Sequence, residues 1–338
     1  MQIKKPELLE ALEIVKPGLA NKEIIEQTTS FAFVKGRVIT YNDSISISHP
    51  VKDLNIEGAI EATYLYKFLG KVKADDINIE LKDNEILLKT GRAKAGLTLQ
   101  TEIRLPLEEV TGRKKWKDLP SNFNKFLSFA MPSCSKDMSR PVLTCVHVNQ
   151  SGVIEASDSY RMTYCDLKEE VPVDTFLLPA SSAVDVVKLN PIKVAKSNGW
   201  IHFSNEVGSE ISCRIFNDDT YPDTSKILNM TGDRLILPQI IDEVLERAMV
   251  FSKRDHLLDE IITITIQNMV LEVSAKSSTG WFKEKVNMKY SEDPIIFSIT
   301  PFLLKGILSE TRECFINKER TKLKFEGEGW QYVTMLRK

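Results

Sequence analysis

Histidine, cysteine, clustered carboxylates and glycine-rich turns are the residue types most able to do covalent or metal chemistry. The four histidines, His49, His147, His202 and His256, are scattered. They show no metal-ligand spacing and no neighbouring cysteine pair, so no zinc site is written in them. Gly91 to Gly96 (GRAKAG) has the glycine spacing of a phosphate loop. Leu97 follows, however, where such a loop needs Lys and then Ser or Thr, so a strand turn is the simpler reading. Asp218, Asp219 and Asp223 form an acidic group in a polar stretch around Tyr221-Pro222, which reads as a loop rather than a metal centre. Tyr64, Tyr66 and Phe68 alternate near Lys67 and Lys71, as in a platform for stacking single-stranded bases. Their segment is helical in pattern, which takes at least two of the rings into a core. No acid, base or ligand constellation of an enzyme is present, and no cofactor is expected.

The elements that must position these residues form a repeat. Segments 5–20 (KPELLEALEIVKPGLA), 119–135 (LPSNFNKFLSFAMPSCS) and 237–254 (LPQIIDEVLERAMVFSKR) each open near a proline, Pro6, Pro120 or Pro238, a residue suited to a first helical turn. Apolar residues then recur at helical spacing: Leu8, Leu12 and Val15; Phe123, Leu127 and Ala130; Ile241, Leu245 and Ala248. Two strands follow each helix, in 29–51 turning at Lys35-Gly36, in 142–167 at Gln150-Ser151-Gly152, and in 261–288 at Gln267-Asn268. A shorter helix comes next, over 63–72, 179–189 and 300–308. More strands close each unit, over 77–102, 192–216 and 314–336. Such units are α+β, with two helices packed on antiparallel sheet. The expected domains are 1–112, 113–230 and 231–338, with boundaries in the polar stretches TGRKKWK and NMTGD.

Composition agrees with this organisation. Hydrophobic residues make up 42% of the 338-residue chain and charged residues 27%, which is the profile of a globular protein and not of a disordered one. No run of some 18 apolar residues is present to span a membrane, and the N-terminus has no signal-peptide core; the cytoplasm is expected. Five widely spaced cysteines, Cys134, Cys145, Cys165, Cys213 and Cys314, read as reduced core thiols. The net charge of −2 excludes a uniformly basic DNA binder but not one with its positive charge gathered on one surface.

Repeated units that present paired helices on one side suit a closed ring. At ~10 Å per helix, twelve helices leave an opening of ~28 Å and eight leave ~15 Å. Hydrated duplex DNA fits only the larger, so six units are needed, and three per chain imply a homodimer. Cations on the lining helices would then face phosphates without reading bases. The candidates are Lys16, Lys22, Lys125, Arg247, Lys253 and Arg254 on or beside the long helices, Lys67, Lys71, Lys188 and Lys305 on the short ones, and Arg140. Glu7, Glu10, Glu13, Glu243 and Glu246 share the long helices and dilute the signal.

Three stretches carry a resemblance to a known family, the bacterial sliding clamp or beta subunit of the replicative DNA polymerase. SRPVLTCVHV (139–148) is similar to the clamp segment Arg-Pro-Val/Ile-Leu-Thr-Gly. EASDSYRMTYC (155–165) resembles its Ala-Thr-Asp-Gly-His-Arg-Leu segment, and FNDDTYPDTSKIL (216–228) its Gly-Arg-Phe-Pro-Asp-Tyr stretch. The chain ends in YVTMLR where the family ends in Met-Pro-Met-Arg. The resemblance covers the whole chain and implies three clamp-type domains per subunit, forming a six-domain ring as a dimer.

The resemblance also implies partners and sites: double-stranded DNA bound without sequence preference, a DNA polymerase and a clamp loader. Peptides of the two protein partners would enter a pocket between the middle and last domains. Carried over, its wall comprises Leu143, Ser157, Ser159, Tyr160, Arg161 and Met162, with Pro222, Ile227, Met335 and Leu336. Ser159 stands where the family usually has Gly, Tyr160 where it often has His, and Cys145 in place of a Gly. Val250 and Phe251 match the last-domain side of the family's dimer contact, with Leu97 or Leu99 on the other side; for Phe251, core packing is an equal reading. The chain's divergence leaves a chromosomal and a phage or mobile-element origin both open. A non-ring β-rich scaffold for peptides or single strands is the alternative function.

Overall fold

The structure is a computed structural model that describes residues 1–216 and 221–337. Asp218 and Asp219 lie outside the described residues. Along the chain a long helix, three strands, a fourth short strand, a shorter helix and three more strands occur three times. The long helices are Lys5–Val15, Phe123–Ala130 and Ile241–Ser252, and the shorter ones Ala62–Lys71, Ala180–Leu189 and Pro301–Leu308. The expected pair of strands after each long helix is a triplet: Ser30–Val34, Arg37–Tyr41 and Ile45–Pro50 in the first repeat, and Ile262–Gln267, Val270–Lys276 and Trp281–Asn287 in the third. The short polar turns that divide these runs are too weak a local signal to reveal the extra strand.

The helical apolar stripes are buried as their spacing requires, with Leu8, Leu12 and Val15 all under 3% exposed. Pro6 sits in the first helical turn. Pro120 and Pro238 instead precede their helices, and their carbonyls accept the first helical N–H groups, from Phe123 and Ile241, at 3.0 Å. Pro17 and Pro132 end the first two helices in single 3-10 turns, because proline offers no N–H to continue the ladder. At Lys35-Gly36 both residues take positive φ, +49° and +72°, the geometry of a tight hairpin that glycine adopts at little cost.

The chain divides into two compact units. The first comprises Met1–Ser128, Val148–Ser151 and Glu170–Asn217. It holds a four-stranded sheet and an eight-stranded sheet. In the larger sheet, Ile45–Pro50 of the first repeat pairs antiparallel with Glu210–Arg214 of the second. Helix Lys5–Val15 packs on one face of this sheet, where the Thr40 hydroxyl donates to the Val15 carbonyl at 2.5 Å. On the opposite face Ile39, Tyr41 and Trp200 pack against Leu105, Leu107 and Val110 of the chain that follows the first repeat.

The second unit comprises Phe129–His147, Gly152–Glu169 and Asp218–Lys338. Here Arg161–Asp166 of the second repeat pairs antiparallel with Trp330–Met335 of the third. A second, four-stranded sheet ends on the open edge Trp281–Asn287. One continuous core joins helices Ile241–Ser252 and Pro301–Leu308 to both sheets. Among the described residues no helix is long and apolar enough to cross a membrane.

Candidate functional site

The second unit gathers the predicted pocket residues around the hairpin that joins Val153–Ser157 to Arg161–Asp166. Its tip is built by Asp158. One carboxylate oxygen of Asp158 accepts the backbone N–H groups of Tyr160 (3.0 Å) and Arg161 (2.9 Å), while the other takes the Arg161 Nε–H at 3.0 Å. Arg161 also donates to the Pro132 carbonyl and lies 5.2 Å over the Phe302 ring. The Ser157 hydroxyl closes the turn on the Arg161 carbonyl at 2.8 Å. Tyr332, buried beneath, donates to the Leu303 carbonyl at 2.8 Å and ties helix Pro301–Leu308 to the last strand.

Ser159 has φ +74°, a left-handed conformation that costs a non-glycine residue ~1–2 kcal/mol. Glycine is the residue the resemblance leads one to expect there. Ser159→Gly therefore gains up to ~1 kcal/mol of stability, less what the freer unfolded chain takes back. A urea melt would show a small rise in midpoint; a fall would mean that the Arg140 bond to the Ser159 hydroxyl (3.3 Å) is worth more than the relieved strain.

Tyr160 and Met335 meet through the backbone, the Met335 N–H donating to the Tyr160 carbonyl at 2.8 Å. Both side chains remain accessible, at 36% and 38%. The Arg337 guanidinium lies 5.4 Å from the Tyr160 ring. Met162 and Leu336 are buried, and Leu336 belongs to the core of the unit. Leu143 lies in the 3-10 turn Pro141–Thr144 next to Arg140, and strand pairing begins only at Cys145. Ile227 lies on the short helix Ser225–Leu228, which packs on the last strand, and Pro222 is exposed just before it.

Sequence reasoning missed what holds this last segment. The Thr224 hydroxyl donates to Glu155 at 2.6 Å, Glu155 pairs with His147 at 2.8 Å, and His147 stacks on Tyr221 with ring centroids 4.7 Å apart. Burial drives the Tyr221 phenol well above its ordinary pKa. His147 thus holds Tyr221 and, through Glu155, Thr224 in place beside the predicted site residues. A histidine alternating with valines was its only local signal. Asp223 caps Ser225 N–H at 3.0 Å as a turn residue.

The predicted basic residues fall into two groups. Lys22, Lys67, Lys71 and Lys253 are exposed and have no carboxylate partner among the described residues. Lys16 lies 4.3 Å over the Tyr66 ring and Lys125 5.7 Å from Phe126. Arg247 is forked onto Glu284 by two 2.8 Å bonds, Lys305 meets Glu246 at 2.7 Å and Lys188 meets Asp185 at 3.1 Å. Arg254 donates to backbone carbonyls of Ser252, Lys253 and Lys276. The paired residues offer less net field to a polyanion than the unpaired lysines.

Of the predicted contact residues, Val250 is 70% exposed, whereas Phe251 stacks on Phe282 at 6.0 Å. Leu99 is buried in its own unit, and Leu97 is half-buried on the strand Ala93–Thr98. Gly91 sits in the hairpin turn before that strand at φ +54°, a strand turn as expected. His202 is a satisfied core histidine: serines 197 and 212 bond its two ring nitrogens at 2.8 and 2.7 Å, and burial pushes its pKa down to about 3. All five cysteines are buried thiols; burial raises Cys145 to about 11 and holds Cys134, Cys213 and Cys314 higher still. Among the described residues no three His, Cys, Asp or Glu side chains cluster as metal ligands.

A thrice-repeated α+β unit, joined edge to edge in long antiparallel sheets, is the fold of the bacterial sliding clamps. No family model and no curated protein matches the chain. Solved structures do. The beta chain of DNA polymerase III from Streptococcus pneumoniae superposes with a TM-score of 0.84 at 19% identity, over 100% of this chain and 99% of that one. DNA polymerase III subunit beta from Pseudomonas aeruginosa gives 0.83 at 16%, with the same coverage. The DNA polymerase sliding clamp from Bacillus subtilis gives 0.81 at 16%, over 100% and 98%.

Proposed function

We propose that the chain is a DNA sliding clamp: a homodimeric ring that encircles duplex DNA and tethers a replicative polymerase, with no catalytic role of its own. The observation that carries this reading is a pairing rule within the fold. Twice, the third strand of one repeat's first triplet pairs with the third strand of the next repeat's second triplet: Ile45–Pro50 with Glu210–Arg214, and Arg161–Asp166 with Trp330–Met335. One strand of each kind is left over at a sheet edge, Trp281–Asn287 and Ala93–Thr98. Applied between two copies, the same rule pairs these edges and closes a ring of six repeats. Phe282 and the adjoining Phe251 lie at one of those edges and Leu97 at the other.

The three domains 1–112, 113–230 and 231–338 follow the repeat. The unpaired lysines Lys22, Lys67, Lys71 and Lys253 supply sequence-independent attraction to phosphates. The exposed apolar surface of Tyr160, Met335 and Pro222 receives the peptides of a polymerase and a clamp loader. The similar proteins of known structure are described as beta subunits and sliding clamps, which supports the same reading.

Retention on DNA tests it. Once loaded on nicked circular duplex, the protein should remain bound through gel filtration at a salt concentration that strips non-topological binders. Linearising the circle should release it. Equal retention on circular and linear DNA would overturn the ring and leave a scaffold that binds by contact alone.

A further inference from the structure

In the first unit the chain from Val110 to Lys117 crosses the sheet face opposite helix Lys5–Val15. Its residues alternate: Arg113, Lys115 and Lys117 are exposed, while Lys114 and Trp116 are half-buried. Among the described residues Arg113 and Lys115 meet no carboxylate, whereas Lys114 is tied to Glu210. Lys117 pairs in register with Val194 and its ammonium donates to the Pro172 carbonyl, while Lys196 donates to the Asp174 and Thr175 carbonyls, so Arg113 and Lys115 are the free cations of the strip. Asp118 and Glu109 are the nearby acids, and Glu109 is engaged by the Trp200 indole at 3.0 Å and by Arg214.

Beneath the strip lies a cavity of about 320 Å³ whose lining includes Arg113, Lys115, Lys196, Ser197 and His202. That is at the lower end of small-ligand pockets, room for one nucleotide unit and not for a stacked duplex. On the other side of Lys114, a separate cavity of about 160 Å³ is lined by Trp116 and Arg37.

We propose that Arg113–Lys117 and the cavity beneath it bind single-stranded nucleic acid, on the sheet face opposite the helices. Phosphates lie along the alternating cations, a base enters the cavity against neutral hydroxyl and imidazole groups, and the exposed part of the Trp116 ring stacks on a neighbouring base. The half-buried indole and a cavity of single-nucleotide size, ringed by Arg113, Lys114, Lys115 and Lys196 with Glu109 as its one carboxylate, favour a nucleic acid over an acidic peptide, which has charge but no base to insert. The site is distinct from the duplex-facing lysines and does not require a ring.

The experiment uses the full chain and fluorescein-labelled oligo-dT of about 16 nucleotides, at the upper end of single-strand site sizes. Two phosphate contacts, at Arg113 and Lys115, predict a slope of roughly −1.4 for log affinity against log salt, and their loss a slope near zero. The double variant Arg113→Glu/Lys115→Glu should bind at least tenfold more weakly with the shallower slope, and Trp116→Phe should weaken binding without changing the slope. Lys289→Ala/Lys318→Ala, two exposed lysines of the second unit, should leave oligo-dT binding unchanged. Absent binding by the unaltered protein, or affinity within twofold after charge reversal, overturns the proposal. So does displacement by polyglutamate at lower concentration than by unlabelled oligo-dT. Retention of the charge-reversed variant on circular duplex separates this site from the ring, because the ring can fail or hold independently of it.

Discussion

Met335→Ser is expected to cut peptide affinity about thirtyfold or more while the oligomeric state stays the same. Met335 combines 38% exposure with a backbone bond to Tyr160, so in the proposed function it is an apolar contact for a partner, and it bears little of the fold. Losing a buried hot-spot contact costs ~2 kcal/mol or more, and 1.4 kcal/mol is a factor of ten. Labelled peptides with aliphatic or aromatic anchors, taken from replicative polymerases, would report the change by fluorescence anisotropy, and sedimentation would report the oligomeric state. Unchanged affinity would remove Met335 from the pocket. Leu336 is unsuitable for the same test, although the sequence pairs it with Met335. At 7% exposure it belongs to the core, so a polar replacement there would unfold what it was meant to probe.

Arg161→Ala should be the most destabilising single change at the site, by ~3 kcal/mol. The Arg161 and Asp158 side chains are only 14% and 13% exposed, and removing one partner leaves a poorly hydrated charge behind. The variant also loses the bond to the Pro132 carbonyl and the contact with the Phe302 ring. Urea unfolding would register a lower midpoint, and hydrogen exchange should rise at the hairpin Ser157–Met162 and in helix Pro301–Leu308. Arg161→Lys keeps the charge without the planar fork and should fall between. If Arg161→Ala melted with the unaltered protein, the hairpin tip would owe its shape to the backbone bonds of Asp158 alone.

These two residues also mark how far the sequence could be read. Helical spacing at Leu8-Leu12-Val15 and at Ile241-Leu245-Ala248 is local, and it located the helices to within a few residues. The order of elements repeated three times, so each repeat corroborated the next. The strands were undercounted because runs such as 261–288 are divided by turns that look no different from strand interiors. The site was legible only where a motif carried it. Asp158 and Arg161 lie three residues apart, within reach of pattern. Thr224 and Glu155, or Tyr332 and Leu303, are joined by tertiary hydrogen bonds across long stretches of chain, and no periodicity predicts those. The same limit hid the difference between Met335 and Leu336. Strand alternation places them on opposite faces, but only the packed structure says which face is the core.

The division of the middle repeat between the two units has a consequence for synthesis. Ser48 pairs with Glu210, so an inner strand of the first unit's large sheet waits for a partner made roughly 160 residues later. At ~5–20 residues per second that interval is of order ten to thirty seconds on the ribosome. Throughout it, Ile45–Pro50 presents an open sheet edge to every other nascent chain, and strand Arg161–Asp166 faces a similar wait for Trp330–Met335. Each joint that makes a finished sheet continuous thus waits for the next repeat to emerge, and until then the growing chain carries an unpaired strand edge.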